Sequence, residues 1–235
     1  SLQLQLSNFT QFETEFNALE LSIPLGILKL GLGSISASSE GLLESKYNSS
    51  GRVELTGQDF KYKTSGMFIG GSIPLIIPNL YMGGSLKFIN AMLHKNTGSG
   101  MGVDLGVSYS PLPIVSMGLV MKNVMAPKMK WDTPDQIVET MPEEMVLGLG
   151  LYGFNTTFSV DAIKTDNTDI RYRAGFEYSY YDVLFLRGGY DDGAISFGSG
   201  LKLATFHIDY AHSMPSTADS EILESINRFG IKMRF

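Results

Sequence analysis

Apolar and polar residues alternate with a period of two through nearly the whole chain, and this constrains the fold more than any other feature of the sequence. In the last segment Phe229, Ile231, Met233 and Phe235 fall on one face, and Arg228, Gly230, Lys232 and Arg234 fall on the other. The same pattern runs through Leu2–Leu6, Leu19–Ile23, Leu28–Gly33, Met101–Tyr109, Val115–Lys122, Leu147–Leu151, Arg171–Tyr178 and Phe206–Tyr210. A period of two is that of β-strands, whose side chains point alternately to opposite faces. The polar face carries Gly, Ser and isolated charges of both signs. The other face is apolar, with tyrosines such as Tyr81, Tyr109, Tyr152, Tyr178 and Tyr180 near the strand ends.

Spacing between the strands adds a second constraint. Short turns are predicted at residues 24–26, 77–79, 111–113, 154–155, 181–182 and 204–205. On the opposite side, longer polar loops are predicted at Ser38 to Asp59, His94 to Ser99, Ala126 to Glu144 and Ser213 to Glu224, with short links at Lys164 to Asp169 and Asp191 to Gly193. The count comes to about fourteen strands. An even number of antiparallel strands with short turns at one end and long loops at the other is the plan of a bacterial outer-membrane barrel, whose apolar face meets lipid and whose polar face lines the lumen. The fold expected is therefore all-β, a transmembrane antiparallel up-and-down barrel forming one domain over residues 1–235, with both termini periplasmic. The competing arrangement is a soluble sandwich or lipocalin-like barrel. It would require about fourteen apolar faces to converge on one small core, more than such a barrel can enclose.

Composition removes several function classes. The net charge is −6, and no Lys/Arg cluster forms the basic face that nucleic acid requires. With no cysteine, disulfide frameworks, zinc-thiolate and iron–sulfur sites are excluded. No apolar run reaches the roughly 20 residues of a transmembrane helix, and no signal peptide stands at Ser1.

Individual motifs give little chemistry. Gly148–Gly153 matches G-x-G-x-x-G, but inside an alternating strand rather than between strand and helix, where a dinucleotide site needs it. His207, Asp209 and His212 are the nearest approach to a catalytic cluster, yet a third partner and an oxyanion site are not visible. Asp191-Asp192-Gly193 reads as a turn rather than a calcium loop. Trp131, the only tryptophan, reads as a loop anchor. Neither catalytic residues, metal ligands nor a cofactor are expected, and the chain is not expected to be an enzyme.

Asp104, Arg171, Arg173, Glu177, Arg187, Lys202, His207, Asp209, Arg228, Lys232 and Arg234 are expected to face the lumen, where charges must pair or be hydrated. They form either an ion-pair network that stiffens the wall or a selectivity or docking lining. Phe229, Ile231, Met233 and the final Phe235 resemble the C-terminal signature read by the bacterial barrel-assembly machinery.

Three stretches resemble the FadL-like outer-membrane barrels, in particular the PorV/PorQ branch. They are Gly102–Tyr109 with Pro111–Pro113 and Met117–Val124; Ala174–Tyr178 with Leu186–Gly193; and Gly198–Leu203 with Ile208–Ala211. They cover roughly the last 140 residues. The resemblance implies a fourteen-stranded, porin-like barrel in the outer membrane of a Gram-negative-type envelope. It implies transport of hydrophobic or small molecules or, alternatively, a PorV-like barrel that binds partners in protein secretion or surface assembly. It also implies an N-terminal hatch segment folded into the lumen, which the alternation beginning at Leu2 does not show. The partners expected are outer-membrane lipid, the barrel-assembly machinery, a hydrophobic ligand, and a protein at the extracellular loops or in the lumen.

Overall fold

A computed structural model describes residues 2–11, 13–216 and 225–235. Sixteen strands follow one another: β1 (Gln3–Gln11), β2 (Thr14–Leu25), β3 (Leu28–Tyr47), β4 (Val53–Pro74), β5 (Leu80–Leu93), β6 (Asn96–Leu112), β7 (Val115–Met125), β8 (Lys128–Trp131), β9 (Val138–Thr140), β10 (Glu144–Gly153), β11 (Thr156–Thr165), β12 (Arg171–Tyr180), β13 (Leu184–Asp191), β14 (Ala194–Leu203), β15 (Phe206–Met214) and β16 (Ile226–Arg234). Every pairing is antiparallel. Fourteen of these strands close on themselves, because β1 pairs with β16 and β5 pairs with β6. The short strands β8 and β9 pair with each other and continue β7 and β10 beyond the wall, with β8 also bonded to β6 through Gly98↔Trp131 and Ser99↔Lys130.

The chain forms this sheet because its turns fit it. At one end, left-handed residues close tight connections: Gly26, Asn79, Phe154 with Asn155, Tyr181 with Asp182, and Ala204, all with φ between 49° and 61°. Positive φ at both central residues is the geometry whose twist matches a two-residue hairpin. The ends of β1 and β16 lie at this same short-turn end, where the Phe235 N–H bonds to the Leu2 carbonyl at 2.9 Å.

The opposite end, called here the hairpin end, departs from the sequence reading. Residues 38–59 are not a loop. β3 and β4 run on as a two-stranded ribbon to a tight turn at 48–52, with register shifts between Ser39 and Leu42 and between Leu43 and Ser45. These bulges break the alternation that would otherwise have revealed the strands. Residues 126–144 are likewise a hairpin, and residues 94–95 form only a short turn. The predicted link at Ser213 to Glu224 lies mostly outside the described residues.

Two glycines permit close approach on the inner wall. A Cβ at Gly98 would stand 2.8 Å from the Trp131 ring, and one at Gly102 would stand 2.5 Å from the ring of Pro127, itself fully buried. The strip carrying Pro127, Met129 and Trp131 therefore lies tightly over β6.

Outward residues form an exposed apolar band. Leu19, Leu32, Ile69, Leu86, Leu105, Leu119, Leu147, Leu186 and Ile231 are each more than a third exposed. Ordinary soluble folds do not leave so continuous an apolar surface uncovered. Tyr81 and Tyr152 do not belong to this band. The Tyr152 hydroxyl lies 3.0 Å from Ser116 Oγ on the inner wall, and Lys29 Nζ sits 5.5 Å from the Tyr81 ring. Both fall on the inward side of the pleat.

Candidate lumen site

Alternation on β12 to β16 brings charged side chains from neighbouring strands onto one enclosed face. Glu177 opposes Arg187 directly, and Arg173 opposes Asp191. Arg187 is the hub. Its Nε donates to Glu177 Oε2 at 2.6 Å and its Nη1 to Asp209 Oδ1 at 2.5 Å, so one guanidinium joins β12, β13 and β15. Bonds from an ionised donor to a carboxylate are the strong ones, and the planar fork of Arg can serve two acceptors at once. Towards the hairpin end, Arg173 Nε donates to Asp191 Oδ2 at 2.9 Å, with Arg171 Nε 3.6 Å from Oδ1. Asp191 is thus held by two arginines. Asp192 and Gly193 follow with φ of 49° and 94°, so these two residues make the turn after β13.

Towards the short-turn end the inner wall becomes cationic. Lys202, His207 and Lys232 are direct cross-strand neighbours. Lys202 pairs with Asp182 in the adjacent turn, and this ammonium holds the Asp182 carboxyl below the usual carboxylate range. With its amide turned so that oxygen faces Arg234, Gln3 accepts from Nε at 3.1 Å and from Nη2 at 3.0 Å. The His207 ring lies 4.7 Å from that of Phe185, and its Nε2 is buried without a hydrogen-bond partner among the described residues. Nearer the hairpin end, Arg228 sits 4.4 Å over the Phe9 ring, which stacks on Phe16 with centroids 4.4 Å apart. These contacts tie β16 to β1 and β2 across the seam.

Asp104 has a different setting. Its Oδ1 accepts from Lys87 Nζ at 2.6 Å and from the Asn123 N–H at 2.8 Å. Lys87 is 6% exposed, so this is the most buried ion pair among the described residues. Sequence reasoning singled out Asp104 but missed Lys87, Asp191 and Asp182. Lys87 and Asp191 lie on the polar face of their strands and could have been read from the alternation. Asp182 lies in a turn, where the alternation says nothing.

His207, Asp209 and His212 do not come together as a cluster. His212 is an odd number of residues from the other two and faces outward, where its Nδ1 lies 2.9 Å from Asn227 Oδ1. Asp209 is engaged by Arg187. Among the described residues no group of three or more His, Cys, Asp or Glu could hold a metal ion. Gly148 and Gly150 sit in β10, which turns into β11 rather than into a helix.

A cavity of about 460 Å³ opens beside Arg187, reaching Gln5, Ser7, Glu177, Asp209 and Arg228. A second, of about 290 Å³, lies on β2 to β5 and is lined by Glu20, Gly33, Ile35, Phe68 and Gly70 among others. The inner wall thus carries a charged cluster on one side and, on the other, a patch where Ile35 and Phe68 lie among small residues beside Glu20 and Ser85.

Solved structures share this architecture. The chain is similar to the Ralstonia pickettii toluene transporter TbuX, with a TM-score of 0.66 at 12% identity over 100% of this chain and 88% of that one. The fold is that of the FadL-like barrels. The CymD monoaromatic hydrocarbon channel gives 0.65 at 12% identity over 100% and 88%, and a Pseudomonas aeruginosa FadL homologue gives 0.62 at 10% over 98% and 88%. No protein-family model matches the chain, and no curated protein matches it. At these identities the FadL-like likeness is one of backbone architecture, so any chemistry of this barrel must be argued from its own lining.

Proposed function

We propose that the chain is a bacterial outer-membrane conduit of the FadL-like type, passing hydrophobic or small molecules through the lumen, and not an enzyme. The observation that carries this reading is the divided inner wall. Ile35 and Phe68 give an apolar molecule a surface within the barrel, and the Arg187 cluster keeps the facing wall polar and paired. Similar barrels that are hydrocarbon transporters and channels support it. In this reading the short turns and both ends of the described chain are periplasmic and the hairpin end is extracellular.

The test is entry of toluene and of a small sugar into asymmetric vesicles with a lipopolysaccharide outer leaflet, because a plain phospholipid bilayer passes toluene by itself. Wild-type protein should raise toluene entry. Ile35→Trp should cut that entry about ten-fold or more and leave the Arg187 side of the lumen untouched. Equal toluene permeability with and without protein would overturn the reading.

One observation favours a second, PorV-like reading in which the barrel binds a partner. The β3–β4 ribbon places Leu43, Tyr47, Val53 and Leu55 on one face, 59 to 77% exposed, with Tyr47 directly opposite Val53. A two-stranded ribbon with a bare apolar face is marginal in water alone. Purification in mild detergent should then yield a stable complex that Leu43→Glu with Leu55→Glu abolishes.

A further inference from the structure

The outer wall changes character along one row of residues. Met67, Phe88 and Met101 lie side by side on β4, β5 and β6 and are 59, 38 and 55% exposed. The next outward row towards the hairpin end reads Ser65, Asn90, Ser99 and Lys130, each directly opposite the next. The row after that begins with Lys63, Met92 and Thr97. These polar rows and Asp132 line an outward-facing cavity of about 740 Å³.

Strands about 4.8 Å apart put Ser65 and Lys130 about 14 Å from each other. Lys63 and Lys130 thus stand at opposite sides of a platform of hydroxyl and amide groups. Neither makes an ion pair among the described residues. The one acid in the cavity is already engaged: Asp132 accepts the Thr97 N–H at 2.5 Å and the Thr97 hydroxyl at 2.8 Å.

A concave polar face between two lysines, directly above an apolar row, is complementary to a molecule with an anionic, hydrogen-bonding head and a hydrocarbon tail. We propose that it binds the phosphate-bearing headgroup of a lipid in the outward leaflet. The phosphate lies between Lys63 and Lys130, and the acyl chain runs down Met67, Phe88 and Met101. The inference rests on reading the chain as a membrane-spanning barrel with its hairpin end outward. Continuity with the apolar band argues for a lipid, because a soluble anion would make no use of the row below.

The test is native mass spectrometry of the full chain in an uncharged detergent, with bisphosphorylated lipid A, fully dephosphorylated lipid A and inorganic phosphate as probes. The protein should retain the bisphosphorylated lipid and release it as salt rises. At about 1 kcal/mol for each lysine near an anionic headgroup, Lys63→Ala with Lys130→Ala should weaken retention about thirty-fold. Lys46→Ala with Lys164→Ala removes the same charge elsewhere at this end and should leave retention unchanged. Phe88→Ser should weaken lipid retention without affecting phosphate.

Equal retention of the phosphorylated and dephosphorylated lipids would overturn the proposal, as would inorganic phosphate binding as tightly as the lipid. Loss of retention in the control variant as large as in Lys63→Ala with Lys130→Ala would do the same. If the variants insert into liposomes and bind lipid A like wild type, this site is wrong while the barrel stands. If wild-type protein stays monomeric and soluble without any amphiphile, the barrel reading itself fails.

Discussion

Asp104 Oδ1 accepts the backbone N–H of Asn123 at 2.8 Å, where three residues of β7 face one residue of β6. Val103 pairs with Met125 and Leu105 with Met121, so Lys122, Asn123 and Val124 are bulged against Asp104. Asn123 has φ of 60°, a conformation that Asn tolerates better than most residues. The carboxylate supplies the acceptor that the interrupted ladder withdraws, and Lys87 neutralises it.

Replacing Asp104 with Leu should therefore cost about 3–5 kcal/mol, because it leaves a buried ammonium without a counter-charge. Adding Lys87→Met should restore much of the loss. The measurement is the urea midpoint of the refolded barrel in detergent. A double variant less stable than Asp104→Leu alone would refute this account.

Gly102 should tolerate no side chain. A Cβ there meets the Pro127 ring at 2.5 Å and Lys87 Cε at 3.0 Å. Gly102→Val should cost about 1–3 kcal/mol through overpacking and should loosen the strip at 126–131, seen as faster proteolysis after Lys128 or Lys130. Gly31, with open space around its Cβ position, should accept Ala with little change.

Arg187 should set the ion preference of the lumen. Arg187→Leu removes the cation that serves both Glu177 and Asp209 and leaves two carboxylates facing the cavity. The reversal potential across a bilayer under a KCl gradient should move towards cation selectivity relative to wild type. Arg187→Lys keeps the charge but cannot fork between two carboxylates, so selectivity should hold while thermal stability falls by about 1 kcal/mol.

The hairpin at 126–144 should loosen in acid. Bonds from the Thr97 N–H and hydroxyl hold the Asp132 carboxyl below its ordinary range. A carboxyl depressed in the folded state adds stability that is present above its unfolded pKa of about 3.9 and is lost as pH falls through the lower folded value. The protection factor of the Thr97 amide, its exchange rate taken relative to the intrinsic rate at each pH, should therefore fall below about pH 4 and stay constant from pH 5 to 8. Asp132→Asn should remove this dependence.

The seam contact between Phe9, Phe16 and Arg228 should stabilise closure. Phe9→Leu loses the stacked ring and the cation over it, each worth about 0.5–1.5 kcal/mol. Melting monitored by heat-modifiable gel migration should fall accordingly.

The barrel was legible in the sequence wherever the outer and inner faces of the wall impose opposite demands on successive residues. Phe229, Ile231 and Met233 alternate with Gly230 and Lys232 because each must meet a different medium. Strand number and every short turn at one end followed from that. The β3–β4 ribbon was not legible. Beyond Ser39 the ribbon runs past the neighbouring strand β2, and the bulges around Leu42 and Leu43 shift the phase, so Ser38 to Asp59 reads as loop. Tyr81 and Tyr152 were placed outward by their position near strand ends, whereas register turns them inward. The bulge that pairs Asp104 with Asn123 depends on strands meeting nineteen residues apart, which no local pattern records. Spacing by an odd number already separates His212 from His207 and Asp209.

The closing pair of the wall joins residues 3–10 to residues 227–234. Until residues 227–234 are made, a growing chain has one raw edge at β1 and another at its latest strand. Such edges invite sheet addition from other chains, and contacts between residues so far apart in sequence are slow to form. The wall can therefore close only once β16 has been made, and its two edges stay open until then.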